Sequence, residues 1–154
     1  MSLPDRLIGG CQCGACRYEA AGPPLLGYVC HCLECRRHTS SAFSMAVLVM
    51  PDAIELSGPV TTWIRDDDEH RPLEALFCSM CGVRMIHHSI PRDRPSRIKV
   101  GTLDDASWFA PAAEFFVKRR FSWIDLGLDT VQCVEAAGPD ESPAILAAWQ
   151  RLFG

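Results

Sequence analysis

Apolar residues in this chain come in short runs, each closed off by Gly, Pro, Asp or Ser. That spacing predicts strands over residues 16–20, 25–32, 43–50, 60–64, 73–77, 83–88, 98–100 and 115–118, an all-β pattern through the middle of the chain. Helical periodicity emerges only near the C-terminus. In PDESPAILAAWQRLFG, Ile145, Leu146, Trp149, Leu152 and Phe153 recur at helical spacing, Pro143 suits the first helical position and Ser142 the N-cap, which predicts a short helix over about 142–153 packed on the sheet. The charged stretch RDDDEHRP, residues 65–72, separates two apolar strands and reads as a solvated hairpin loop. No internal repeat or linker interrupts the pattern, so residues 5–154 are expected to form a single domain.

Composition narrows the classes. A chain of 154 residues that is 48% hydrophobic and 22% charged suits one soluble globular domain. A net charge of −4 argues against nucleic acid, because phosphate-backbone binding depends on clustered Lys and Arg. The opening MSLPDRLIGG has neither a basic start nor an apolar stretch before a cleavage site, and no apolar run is long enough to span a bilayer, so a cytoplasmic protein with no membrane partner is expected.

Nine cysteines change the picture. Their number is odd and their spacings are those of metal sites, which argues for reduced thiols rather than a disulfide framework. Seven fall into three groups: Cys11 and Cys13 in GGCQCG, Cys30, Cys32 and Cys35 in CHCLEC, and Cys78 and Cys81 in FCSMCG. In a strand, alternate residues share a face, so each C-x-C can present two sulfurs to one ion. The C-x-x-C of CSMCG suits a tight turn on zinc in which Gly82 takes a positive φ. A structural zinc takes four protein ligands and a catalytic one keeps three with a position open. The economical assignment gives a structural zinc to Cys11, Cys13, Cys78 and Cys81 and leaves Cys30, Cys32 and Cys35 as a three-thiolate site. The residues leave alternatives open: Cys16 could replace Cys11, the triplet could be closed by His31, His38 or Cys16, and an iron–sulfur cluster fits these spacings less well. Cys16 and Cys133 otherwise read as buried core thiols. Arg36 and Arg37 follow the triplet and can offset its charge or steer an anionic thiol, although solvated surface arginines read the same way. His87 and His88 are adjacent, face opposite ways in a strand, and receive no role.

The ordered motifs GGCQCGACRY, VCHCLECRRHTSSAF, FCSMCG, IKVGTLDD and FFVKRRFSWIDL resemble the glutathione-dependent formaldehyde-activating enzyme (GFA) family, whose domain also occurs in centromere protein V. The resemblance covers residues 9–126. It implies a β-tent fold of stacked antiparallel sheets, two zinc ions, structural ligands at Cys11, Cys13, Cys78 and Cys81, and a catalytic site at Cys30, Cys32 and Cys35 that accepts glutathione. The implied activity is that of a carbon–sulfur lyase, S-hydroxymethylglutathione synthase-like, joining a small thiol to formaldehyde or a similar electrophile. The competing reading is a zinc-stabilised protein-binding module without catalysis. The chain departs from the family pattern at Ser40, Val83, Cys16 and Glu114, the last standing where a histidine is frequent.

Overall fold

A computed structural model of the chain describes residues 2–66 and 71–154. Met1 and residues 67–70, the middle of the expected charged hairpin loop, lie outside the described residues. The protein is mainly β. Its described residues form eleven strands in two hydrogen-bonded sheets, with one helix near the triplet and one at the C-terminus. In chain order these are β1 (Arg6–Gly10), β2 (Arg17–Ala21), β3 (Leu26–Cys30), α1 (Leu33–Thr39), β4 (Ser44–Val49), β5 (Ile54–Ser57), β6 (Val60–Arg65), β7 (Leu73–Cys78), β8 (Arg84–Ser89), β9 (Ser96–Lys99), β10 (Ala113–Phe115), β11 (Val131–Gln132) and α2 (Ser142–Phe153). The chain divides into two compact units, one built mainly from residues 26–46 and 108–154, the other from residues 3–25 and 47–107.

The unit of residues 3–25 and 47–107 contains the antiparallel set β1-β2-β5 and the antiparallel ladder β6-β7-β8-β9. In β1 and β2 burial alternates with the pleat, so Leu7 lies opposite Ala20 and Gly9 opposite Tyr18 on the buried face. Sequence reading passed over β1 because RLIGG is short and ends in two glycines. The structure gives Gly9 a reason: a Cβ there would run into the Thr102 carbonyl and the Tyr18 hydroxyl. The β5 strand was hidden in the same way, since it follows directly on the 3-10 turn Pro51–Ala53. In contrast, β7 carries the apolar stretch Ala75, Leu76 and Phe77, which is plain in the sequence.

In the unit of residues 26–46 and 108–154, β10 runs parallel to both β3 and β11, so antiparallel pairing is not universal. The C-terminal helix α2 contacts β3 and β11. It buries Ile145, Ala148 and Trp149, while Leu146, expected on the same apolar face, is exposed. Gly27 on β3 leaves room for the ring of Trp149, to which a Cβ would come within 3.0 Å. The helix spans the expected residues but its cap differs: Glu141 occupies the cap position, and Ser142, inside the first turn, donates its hydroxyl to the Gly138 carbonyl at 2.8 Å.

Candidate metal centres

The first centre lies at the end of the β1 strand and the turn between β7 and β8. Cys11 and Cys13 do not sit in a strand; they belong to a turn closed by the Gly14 N–H on the Cys11 carbonyl (3.1 Å) and by reciprocal bonding of Cys11 with Cys16. Cys78 ends β7, and the chain folds back so that the Gly82 N–H reaches the Cys78 carbonyl at 2.8 Å, with Gly82 at φ +76° as the turn requires. The sulfurs of Cys11, Cys13, Cys78 and Cys81 all lie within 4.8 Å of one another. Cys11 and Cys13 are 3.6 Å apart, and Cys13 and Cys78, 65 residues apart in sequence, are 3.8 Å apart. Four sulfurs at zinc bond lengths of about 2.3 Å form a tetrahedron with edges of about 3.8 Å, which the two separations of 3.6 and 3.8 Å match. The Cys16 N–H donates to Cys11 Sγ at 3.2 Å and holds that thiol down to about 6, towards the thiolate that zinc needs. Cys16 itself is fully buried and burial pushes its thiol up to about 12. It is outside the four-sulfur group, as is the buried Cys133.

The second centre is assembled by a strand end and a helix start. Cys30 is the last residue of β3, Cys32 is the N-cap of α1, and Cys35 lies one turn along. The expected strand geometry of this C-x-C is therefore replaced by a cap: Cys32 Sγ accepts the Cys35 N–H at 3.3 Å. The three sulfurs lie within 4.8 Å of one another, and among the described residues no fourth Cys, His, Asp or Glu joins that group. Hydrogen bonds from the Cys30 and Cys35 thiols hold Cys32 down to about 2, while hydrogen bonding with Cys32 and Cys35 together with burial pushes Cys30 up. Three thiols so placed share their protons unevenly, and a divalent cation removes that conflict by taking all three as thiolates.

The helix α1 was not visible in the sequence. Its seven residues bury none of their side chains, so no apolar period marks it. Its ends define it instead, through the Cys32 cap and Ser40 in the left-handed region at φ 50°, whose N–H returns to the last turn. Thr39 adds a bond from its hydroxyl to the Cys35 carbonyl at 2.7 Å.

His31, between two of the thiols, is fully buried and turned towards Glu114 rather than into the sulfur cluster. Glu114 lies on β10 next to β3. Its Oε2 accepts from His31 Nε2 at 3.1 Å and from Arg120 Nη1 at 3.2 Å, while Oε1 accepts from the Thr130 hydroxyl at 2.7 Å. Burial raises its pKa, but these donors outweigh burial and hold the carboxyl below its ordinary range. Sequence reading registered Glu114 only as a departure from the family pattern; its partners are up to 83 positions away.

Arg36 and Arg37 point along one side of α1. Arg37 pairs with Glu34 at 3.0 Å. Arg36 lies over the Phe121 ring, 4.0 Å from its centroid, and Phe121 in turn stacks on Trp123 at 5.8 Å with an 11° interplanar angle. Together with Leu33, Ser40, Ser41 and Ala42 these residues line an open groove of about 660 Å³. Phe121 and Trp123 were seen in the sequence only as part of a motif.

A crystal structure of a protein from Rhodobacter sphaeroides resembles the chain with a TM-score of 0.51 and 16% identity, covering 82% of this chain and 99% of that one, which extends the likeness of fold. Among curated proteins none matches. The model of the family described as glutathione-dependent formaldehyde-activating enzyme matches residues 6–119, which takes in both cysteine clusters and β10. This chain belongs to that family.

Proposed function

We propose that the protein is a zinc-dependent carbon–sulfur lyase that joins a small thiol such as glutathione to formaldehyde or a similar small electrophile, with a structural zinc at Cys11, Cys13, Cys78 and Cys81 and a second at Cys30, Cys32 and Cys35. The observation that carries this reading is the unequal size of the two clusters: four sulfurs complete a tetrahedron, three leave one corner for an outside ligand. Zinc at the three cysteines supplies a coordination position for an incoming thiol and lowers that thiol's pKa. The remaining work belongs to the chain. Arg36 follows Cys35 on α1, and its guanidinium is held over the Phe121 ring. The buried bond from His31 to Glu114 fixes the segment between Cys30 and Cys32.

The chemistry balances without oxidation or reduction. The thiol sulfur donates a pair to the carbonyl carbon, a C–S bond forms as the C=O π pair moves to oxygen, and the proton lost by the thiol ends on that oxygen as a hydroxymethyl group. The reverse step breaks the same C–S bond.

Exchange NMR between free formaldehyde and its glutathione adduct tests the reading. The zinc-loaded protein should speed the exchange, and Cys32→Ser should remove that effect while retaining the zinc at the four-cysteine cluster. Acceleration that survives Cys32→Ser, or two zinc ions that both resist thiols and chelators, would favour the non-catalytic module.

A further inference from the structure

The nine cysteines all lie among the described residues, and they are not equally open to solvent. Cys13 alone is exposed; Cys32, Cys35 and Cys81 are half-buried and the other five are buried. The four-cysteine centre therefore has an inner and an outer side. Cys11 and Cys78 are covered, whereas Cys13 stands on the turn that the Gly14 N–H closes. A Cβ at Gly14 or at Gly82 would meet nothing within 4 Å, so neither turn of the centre is roofed at these positions by the rest of the chain. The opposite turn also carries Met80, which is well exposed. Even so, the outermost sulfur is in contact with the two innermost, at 3.6 Å from Cys11 and 3.8 Å from Cys78.

A zinc that only braces the fold does not require one of its ligands to face water. A sulfur that small oxidants can reach, with a second sulfur within touching distance, is instead the arrangement in which oxidation proceeds to a disulfide. The reactive form is the thiolate, and a cysteine bound to a metal is in that form. Two partners are in contact with Cys13, and they differ in what a bond would impose. A link to Cys11 would close a short, stiff ring inside a turn already tied by the Gly14 N–H on the Cys11 carbonyl. Cys78 comes from the end of β7, 65 positions away in sequence, and carries no such restriction.

We propose that Cys13 is an oxidation site for small hydroperoxides, hydrogen peroxide first among them, and that its oxidation ends in a Cys13–Cys78 disulfide with release of the zinc. This goes beyond the carbon–sulfur chemistry at Cys30, Cys32 and Cys35, and rests only on the zinc proposed at the four-cysteine centre. The Cys13 thiolate attacks one peroxide oxygen, the O–O bond breaks, sulfur keeps that oxygen as a sulfenic acid and the other leaves as hydroxide. The Cys78 thiolate then attacks the Cys13 sulfur, an S–S bond forms, the S–O bond breaks and a second hydroxide leaves. The two sulfurs lose one electron each and the peroxide gains both. Cys11 and Cys81 remain, two ligands where a structural zinc takes four, while a covalent bond now joins the turn after β1 to the end of β7.

The test adds hydrogen peroxide to the zinc-loaded full chain, unaltered and as Cys32→Ser, the second so that the zinc measured is that of the four-cysteine centre. Zinc release is read with a chromogenic chelator, sulfenic acid is trapped with dimedone, and disulfides are mapped by mass spectrometry of proteolytic peptides. Dimedone should label Cys13 ahead of Cys11, Cys78 and Cys81. Without dimedone, the peptides carrying Cys13 and Cys78 should be recovered joined, zinc should be lost in step with that product, and a thiol reductant with fresh zinc should restore the starting protein. None of these readings needs a variant of the centre itself, so a folding defect there cannot imitate the result. Labelling that begins at a buried sulfur, a disulfide that leaves out Cys13 or Cys78, or zinc and a reduced Cys13 that both persist after peroxide has oxidised Cys30 and Cys35, overturns the inference and leaves the proposed lyase untouched. A Cys32→Ser chain that takes up no zinc before peroxide is added overturns the zinc assignment and the inference with it.

Discussion

Glu114 offers the sharpest test of how the three-cysteine segment is held. Its carboxylate takes three donors, from His31, Arg120 and Thr130, inside a nearly solvent-free site. Glu114→Ala removes the acceptor and abandons these donors unequally. Arg120 is partly exposed and recovers water, while His31 is fully buried and cannot. Breaking a buried charged pair from one side costs about 3–5 kcal/mol, and rehydration of Arg120 places this case at about 3 kcal/mol. Glu114→Gln keeps the shape. Its amide oxygen still accepts from His31 and Arg120, and its NH₂ donates to the Thr130 oxygen once that hydroxyl rotates, so only the charge assistance is lost, about 1–2 kcal/mol. At roughly 2–4 °C per kcal/mol for a chain of this size, the midpoint should fall by about 6–12 °C for Ala and about 2–8 °C for Gln. Thermal and denaturant unfolding of the zinc-loaded proteins, followed by circular dichroism, measures both. Equal losses for Ala and Gln, or a loss under about 0.5 kcal/mol for Ala, would show that the carboxylate does not organise these donors.

Other consequences are as direct. Burial and the charge of Arg92 push His88 down to about 4, against a smaller opposing effect of Glu74, whereas a free imidazole titrates near 6.5. The unfolded chain therefore takes up a proton between about pH 6.5 and 4 that the folded one refuses, so stability should fall across that window by about 2 kcal/mol, and His88→Gln should flatten that part of the stability–pH curve. Cys13→Ser should lower zinc content by about one ion per chain and destabilise the fold, while Cys35→Ser should release the other ion with a smaller stability loss; metal analysis after dialysis, paired with unfolding, separates them. Gly9→Ala should cost about 1–3 kcal/mol because the new Cβ meets the Thr102 carbonyl and the Tyr18 hydroxyl. At Gly82 the space is open and only the positive φ resists, so Gly82→Ala should cost about 1–2 kcal/mol in the same unfolding assay.

Much of this was readable in advance where chemistry and period coincide. Seven cysteines partition in space as their spacing suggests, because sulfur ligands must converge and few other arrangements satisfy the counts. Strands such as β7 show as apolar stretches because consecutive residues, Ala75 and Leu76, are both buried. What escaped were the elements held by something other than an apolar face. The helix α1 is fixed at its ends, β1 and β5 are short and interrupted by glycine or proline turns, and β11 has two residues. The Glu114 network escaped for a different reason: its members lie at 31, 114, 120 and 130, and no local signal in a sequence pairs a buried carboxylate with donors that distant.

A helix of seven residues with no side chain in the core has little reason to exist alone, since isolated helices below about 12–15 residues are marginal in water. What keeps α1 wound is anchored at its two extremities, and one of those anchors is the Cys32 sulfur. The winding of this segment therefore leans on the Cys32 sulfur at its start and the left-handed Ser40 at its end, with the thiol of Cys35 carried between them.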